Sequence, residues 1–233
     1  MSNHFGMPRK FVLATYTLTA LVSGSLTGSA LAAENEFAGE KIVHLLQEPR
    51  HRTVLKNEGI YVLDVQVNPG DESFAHTHDS ALLVTQISNG EGPVNGRVTT
   101  NTDYATQPVT HKISNAGPGL LRIIAMTNLT PRQDPLTTDR PSGMPGEPTI
   151  ENAWFRSYRI ALAPGAESAS LSLKNPSVVV QVTAGKVHVS RADGITAELD
   201  EMAKWTWREA NSDYQIRNVG NVPVELVVNE ARR

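Results

Sequence analysis

One pattern occurs twice in this chain and all but dictates a β fold. Tyr61, Leu63, Val65 and Val67 alternate with Val62, Asp64 and Gln66 before a Pro69-Gly70 turn. Tyr158 to Ala163 runs in the same way into Pro164-Gly165, 95 residues later. A period of two ending in Pro-Gly describes a half-buried strand and its turn. Leu82 to Ile87 reaches a turn at Gly90, and Val178 to Val182 reaches one at Gly185, again 95 residues apart. Asn115 pairs with Asn218, and Gly117 with Gly220, at a new constant offset of 103. An insertion of eight residues between Gly185 and Asn218 accounts for the change (103 − 95). The chain therefore reads as a tandem duplication of an all-β unit of about 80 residues.

Between the copies, Thr130 to Pro148 holds Pro131, Pro135, Pro141, Pro145 and Pro148. Proline cannot donate to a ladder, so this stretch is expected to be a linker. Helical periodicity is scarce. Glu40 to Leu46 is expected to form a short helix after Gly39, and Ala197 to Trp207 to be partly helical within the insertion.

The first 33 residues read as a secretory signal peptide, with an uncleaved N-terminal anchor as the alternative. Arg9 and Lys10 are its basic start, Phe11 to Val22 its apolar centre, and Ala30-Leu31-Ala32 its small-x-small cleavage pattern. The apolar run is too short to span a bilayer. Arg9-Lys10 is not a twin arginine, so export before folding is expected. The expected layout is a signal peptide over 1–33, an N-terminal barrel over 34–129, a linker over 130–149 and a C-terminal barrel over 150–233. The destination is periplasmic or extracellular, with no membrane span after cleavage.

Composition then narrows the chemistry. The whole chain carries a formal charge of −3. That argues against a nucleic-acid partner, which needs a basic stripe. With no cysteine, disulfides, thiolate ligands and a cysteine nucleophile are all excluded. A metal would have to be held by His, Asp or Glu.

His44, His51, His76, His78, His111 and His188 follow the leader. His76 and His78 are two apart in a strand-like stretch, so their side chains leave one face. Such a pair can chelate one ion, and His111, at the entrance of another strand, is the candidate third donor. His44, His51 and His188 are expected on solvated faces; His51 in particular sits in the charged run Arg50-His51-Arg52.

These residues resemble the cupins, whose first motif is G-x5-H-x-H-x(3,4)-E-x6-G. Here it reads Gly70-DESFA-His76-Thr-His78-DSAL-Leu83-VTQISN-Gly90, with Leu83 where the glutamate would stand. The second family motif, P-x-G-x2-H-x3-N, is matched by Pro108-Val-Thr-His111-Lys-Ile-Ser-Asn115. Its histidine and asparagine are in place, its proline is displaced and its glycine is missing. The second copy keeps the framework, Gly165, Gly185 and Asn218. It carries Leu171, Leu173 and Tyr214 at the histidine positions and Val178 at the glutamate position.

The resemblance covers most of residues 50 to 230. It implies an all-β bicupin, two double-stranded β-helix (jelly-roll) barrels in tandem, with a metal site of His76, His78 and His111 in the first. It implies that the second is a filled barrel, structural or forming a subunit interface, with Trp205 and Trp207 in its aromatic insertion. Fe2+ leads as the cofactor, with Zn2+, Ni2+, Mn2+ and Cu2+ as alternatives. Three neutral imidazoles leave the 2+ charge uncompensated, which favours a small anionic ligand. Dioxygenase-, lyase- or isomerase-type chemistry follows by resemblance, with the dioxygenase type foremost. The alternative is a non-catalytic periplasmic module that binds a small ligand or metal. Homodimerisation through edge strands is a further family expectation.

The residues expected around the ligand are Thr85, Ile87, Arg97, Tyr104 and Arg122. Alternation along the strand puts Thr85 on the pocket side and Gln86 opposite. Arg97 and Arg122 interrupt apolar strands as carboxylate-binding candidates, with an outward, solvated arginine as the alternative for each. Tyr104 is an acid or hydrogen-bond donor, and Asp79 is weighed as a replacement carboxylate.

Overall fold

The computed structural model describes residues 36–233, so the expected leader and its cleavage pattern lie outside the described residues. Seventeen strands run through that span. The first eight are β1 (Ile42–His44), β2 (His51–Asn57), β3 (Ile60–Val67), β4 (Ala75–His78), β5 (Ala81–Asn89), β6 (Pro93–Asn101), β7 (Val109–His111) and β8 (Leu121–Asn128). After a long stretch without a strand come β9 (Ile150–Glu151), β10 (Phe155–Leu162), β11 (Leu171–Leu173), β12 (Ser177–Gln181) and β13 (Val187–Arg191). The last four are β14 (Thr196–Leu199), β15 (Trp205–Arg208), β16 (Ser212–Asn218) and β17 (Val224–Ala231).

The strands form four sheets. The first half of the chain builds a five-stranded sheet, β2-β3-β8-β5-β6, and a three-stranded sheet, β1-β4-β7. The second half builds β15-β12-β17-β10-β9 and β11-β16-β13-β14. Alternation along each strand sends every second residue to one face. Leu63, Val65 and Val67 of β3 therefore point into an interior shared with Leu45, Leu82 and Ala125. Ile60 and Val62 point the other way, into a core that also contains Phe155, Val178, Val180 and Val227 from the second half. The two five-stranded sheets thus share one apolar layer, and Trp205 and Trp207 are packed against it.

The repeat read from the sequence reappears as repeated hydrogen bonds. Asn115 Nδ2 donates to the carbonyls of Val67 and Gly119. Asn218 Nδ2 donates to those of Leu162 and Val222. Each asparagine Oδ1 accepts the N–H of the glycine two residues on, Gly117 or Gly220. These residues tie a strand end to a turn, and the close fit leaves no space at Gly90. Its φ is +90°, and a Cβ there would collide with Asn115 Oδ1.

Both expected helices are corrected. Glu40–Leu46 contains β1, followed by a 3₁₀ turn at Leu45–Gln47, because β1 is held by parallel pairing of Ile42 with Ala75 and Val43 with His76. Ala197–Trp207 lies across β14 and β15, which pair with β13 and β12. In both places a ladder to a distant strand outweighs weak local propensity.

The proline-rich stretch contains no strand, yet it is anchored. Asp139 is fully buried. Its carboxylate accepts hydrogen bonds from Arg156 at 3.0 Å, from Arg232 at 2.8 and 3.0 Å, and from Asn175 at 2.6 Å. Arg156 also reaches Glu230 at 2.9 Å.

Candidate metal centre

The three-stranded sheet sets the site. On β4, His76 and His78 are two residues apart and share a face. β7 runs antiparallel beside it, with His111 directly opposite His76. One donor nitrogen from each of the three residues can be chosen so that all lie within 4.8 Å of one another. His78 Nε2 and His111 Nε2 are 3.0 Å apart, with their rings nearly perpendicular.

His76 is fully buried, and its Nδ1 lies 2.9 Å from the Phe74 carbonyl oxygen. A carbonyl only accepts, so Nδ1 carries the proton and Nε2 is bare. That Nε2 is buried without a hydrogen-bond partner, as is His78 Nδ1. Unpaired buried nitrogens are rare because leaving them so is costly, and a bound ion is one of the few things that satisfies them. The donor set fits a divalent ion: three imidazoles, one oriented by a backbone carbonyl in the manner typical of metal-binding histidines.

Protonation agrees. Burial, and then the neighbouring imidazoles, hold His78 down at about 3 and His111 at about 4. Burial also lowers His76, although the Phe74 carbonyl and the Glu48 charge oppose it. All three are therefore neutral at pH 7, as ligation requires. The same shifts make the metal-free fold acid-sensitive. An unfolded histidine takes up its proton near pH 6.5. These folded histidines resist it, so their contribution to stability is complete above pH 6.5 and is lost as pH falls towards about 4 and 3. Urea midpoints of the metal-free protein should fall across that window. They should fall less steeply for His78→Leu, which carries the leucine found at the equivalent position, 173. Equal slopes would contradict this account.

A cavity of about 360 Å³ opens beside the cluster. Leu45, Leu63, Val65, Val84, Ile123 and Ala125 form its apolar wall. Gln86, Thr99, Thr100, Asn101 and Tyr104 form a polar one, and His51, His78 and His111 close the end. No lining residue carries a carboxylate, an ammonium or a guanidinium.

Of the expected ligand-site residues, Tyr104 lines the cavity, its ring centred 5.0 Å from that of His78. Thr85 and Ile87 do not line it. Thr85 is fully buried on the opposite face and accepts a hydrogen bond from Asn229 Nδ2 at 2.8 Å; Ile87 lies in the shared core. Val84 and Gln86 take the inward positions instead. Arg122 points away as well, with Nε and Nη2 each 3.2 Å from the Asp64 carboxylate on the outer face of β3. Arg97 is exposed and pairs across the sheet with Gln86, beyond the lining residues. Asp79 is exposed and binds His44 at 3.0 Å, so it does not replace the missing carboxylate.

The position of that carboxylate also shifts. Leu83 faces the shared core; Leu82 faces the interior. A β-bulge between Gln86 and Ser88 adds a residue before Gly90, which offsets a count made back from the glycine. The side chain on the cavity side is still a leucine, Leu82. In the second half Leu171 pairs with Tyr214, the same register as His76 with His111, and both are buried in an apolar core with Leu173.

His51 is the residue the sequence misplaced. It is 3% exposed, its ring is centred 4.4 Å from that of His76, and its Nδ1 is 2.7 Å from the buried Glu48 carboxylate. His51 pairs with Val65 across the sheet and so shares that residue's inward face. The flanking arginines suggested solvent, and the only local signal was Glu48 three residues earlier. His44 and His188 are partly exposed, and His188 binds Glu198 at 3.0 Å.

No sequence-family profile matches this chain, and no curated protein does. Solved structures do. AerE from Microcystis aeruginosa is 11% identical, with a TM-score of 0.56 over 80% of this chain and 99% of its own. A mutant salicylate 1,2-dioxygenase from Pseudoaminobacter salicylatoxidans is 10% identical, with a TM-score of 0.51 over 74% of this chain and 71% of its own. A cupin domain from Bordetella pertussis Tohama I is 19% identical, with a TM-score of 0.33 over 41% of this chain and 94% of its own. The chain has the cupin fold. Identities this low speak to fold, and a cupin fold hosts many chemistries. What this chain does must be argued from its three imidazoles and its cavity.

Proposed function

We propose that this cupin binds one divalent metal ion through His76, His78 and His111 and acts on a small anionic organic molecule in the adjoining cavity. One observation carries the reading: the bare, buried Nε2 of His76 converges with nitrogens of His78 and His111, and these two line a cavity whose walls carry no charged side chain. An anion placed there has no protein cation to neutralise it. The ion would supply that charge, with open coordination positions for Lewis-acid or oxygen chemistry. Leu82, where a carboxylate would offset the charge, leaves it undiminished. Fe2+ leads, and Zn2+, Ni2+, Mn2+ and Cu2+ suit the same donors. The chain's own residues orient the ligand: the apolar wall holds its body, and Gln86, Thr99, Asn101 and Tyr104 offer hydrogen bonds. The N-terminal 33 residues support export. Among the described residues, no helix is long and apolar enough to cross a membrane.

Titrating Zn2+-loaded protein with phenylacetate by calorimetry tests the anion site. Binding should require the metal. Leu82→Glu should weaken it by about tenfold or more, equivalent to about 1.4 kcal/mol, while retaining the ion. Equal binding by the metal-free protein, or by Leu82→Glu, would sink the proposal. A non-catalytic binding module is the second reading, favoured by the lack of any lining carboxylate or amine to serve as acid or base. Oxygen uptake by Fe2+-loaded protein with a panel of small acids separates the two: uptake supports catalysis, and none across the panel supports the module.

A further inference from the structure

His51 adds a requirement that the three-histidine cluster does not impose. Glu48 is buried, and its carboxylate already accepts the backbone N–H groups of Arg50 at 2.6 Å and Phe74 at 3.2 Å. Burial pushes its pKa up, but the hydrogen bond from His51 and those two amides outweigh burial and keep Glu48 below the usual carboxylate range, while burial lowers the pKa of His51 itself and keeps its ring neutral. An ionised carboxylate can only accept, so the 2.7 Å contact must be donated by His51 Nδ1–H. In a neutral imidazole that leaves Nε2 without a proton. The His51 ring makes no other hydrogen bond among the described residues, and His51 is one of the residues lining the cavity.

We infer that Glu48 locks His51 in the tautomer that presents a bare nitrogen to the cavity, and that the ligand is accordingly a hydroxy acid whose O–H donates to His51 Nε2. The inference rests on the anion site proposed above and deepens it. The His51 and His76 rings are 4.4 Å apart, so the hydroxyl must lie within one or two carbons of the carboxylate drawn to the metal. A ligand with no donor there would leave His51 Nε2 unpaired in a desolvated site. Sites built to pair with a substrate O–H reject analogues lacking it far more strongly than apolar pockets reject a missing methylene. His51 is thus a specificity-determining residue and Glu48 its positioning residue.

Two measurements test this. Long-range 1H–15N correlation spectra of the metal-free protein, with His51 signals assigned from their absence in His51→Gln, report the tautomer directly. A protonated Nδ1 and bare Nε2 are expected; a proton on Nε2 would overturn the inference. Calorimetry on Zn2+-loaded protein then compares mandelate with phenylacetate, which differ only in the hydroxyl. Wild type should favour mandelate by at least tenfold. His51→Phe and His51→Gln, at unchanged zinc content, should reduce that preference to within about twofold, and Glu48→Gln should erode it severalfold. Equal binding of the two acids by wild type, or a preference that survives in both His51 variants, would overturn the hydroxyl requirement and leave the metal–anion reading standing. Binding of neither acid to zinc-loaded protein would overturn both.

Discussion

His76→Ala and His111→Ala should each lose the metal. Elemental analysis of wild-type protein after loading and desalting should return about one ion per chain, and either variant far less. The expected fall in affinity is roughly 100-fold or more, because losing even an outer partner of a ligating histidine typically costs about 10- to 100-fold. Two donors cannot hold the ion as three do, and the surviving nitrogens gain no replacement from Leu82 or Asp79. Stability should follow. An ion held at about 100 times its Kd adds roughly 2.7 kcal/mol to the folded state, about 5 to 11 °C in Tm for a chain of this size. That increment should vanish in both variants. His188→Ala is the control, since His188 lies on the surface against Glu198. Unchanged metal content in the cluster variants would remove the site.

Asp139→Ala should be the most destabilising single change away from the metal. It strips a fully buried carboxylate from two fully buried guanidinium groups, those of Arg156 and Arg232. Breaking a buried pair by removing one partner costs about 3–5 kcal/mol, because the remaining charge is stranded out of water; here that charge is Arg232, since Arg156 keeps Glu230. A Tm fall of roughly 6 to 20 °C follows for this chain size. The exposed Arg140–Glu147 pair makes the contrast: Glu147→Ala should change stability by less than about 1 kcal/mol. Urea unfolding of the two variants measures both. A midpoint for Asp139→Ala close to that of wild type would show that the proline-rich stretch is only a tether.

How much was legible beforehand can be traced residue by residue. The strand-and-turn repeat was, because a period of two and a Pro-Gly turn are local properties that survive without the fold. The His76–His78 pair was legible for the same reason, since the pleat alone puts them on one face. His111 was a candidate from its place at a strand entrance and from the second cupin motif, but its place opposite His76 is a matter of ladder register. The faces of β5 were misjudged: counting from a motif glycine cannot see the bulge before Ser88. His51 was misjudged because its neighbours are arginines, and their exposure suggested its own.

The sequence by itself determined an all-β chain with a repeated strand-and-turn pattern, one copy carrying histidine at the three motif positions and the other leucine, leucine and tyrosine, because periodicity, turn residues and side-chain chemistry are written along the backbone. Only the tertiary structure decided that the two five-stranded sheets share a core, that Asp139 anchors the supposed linker, and that Glu48 and His51 stand beside the three-histidine cluster. Each of those depends on which strand lies next to which, and long-range register has no local signature.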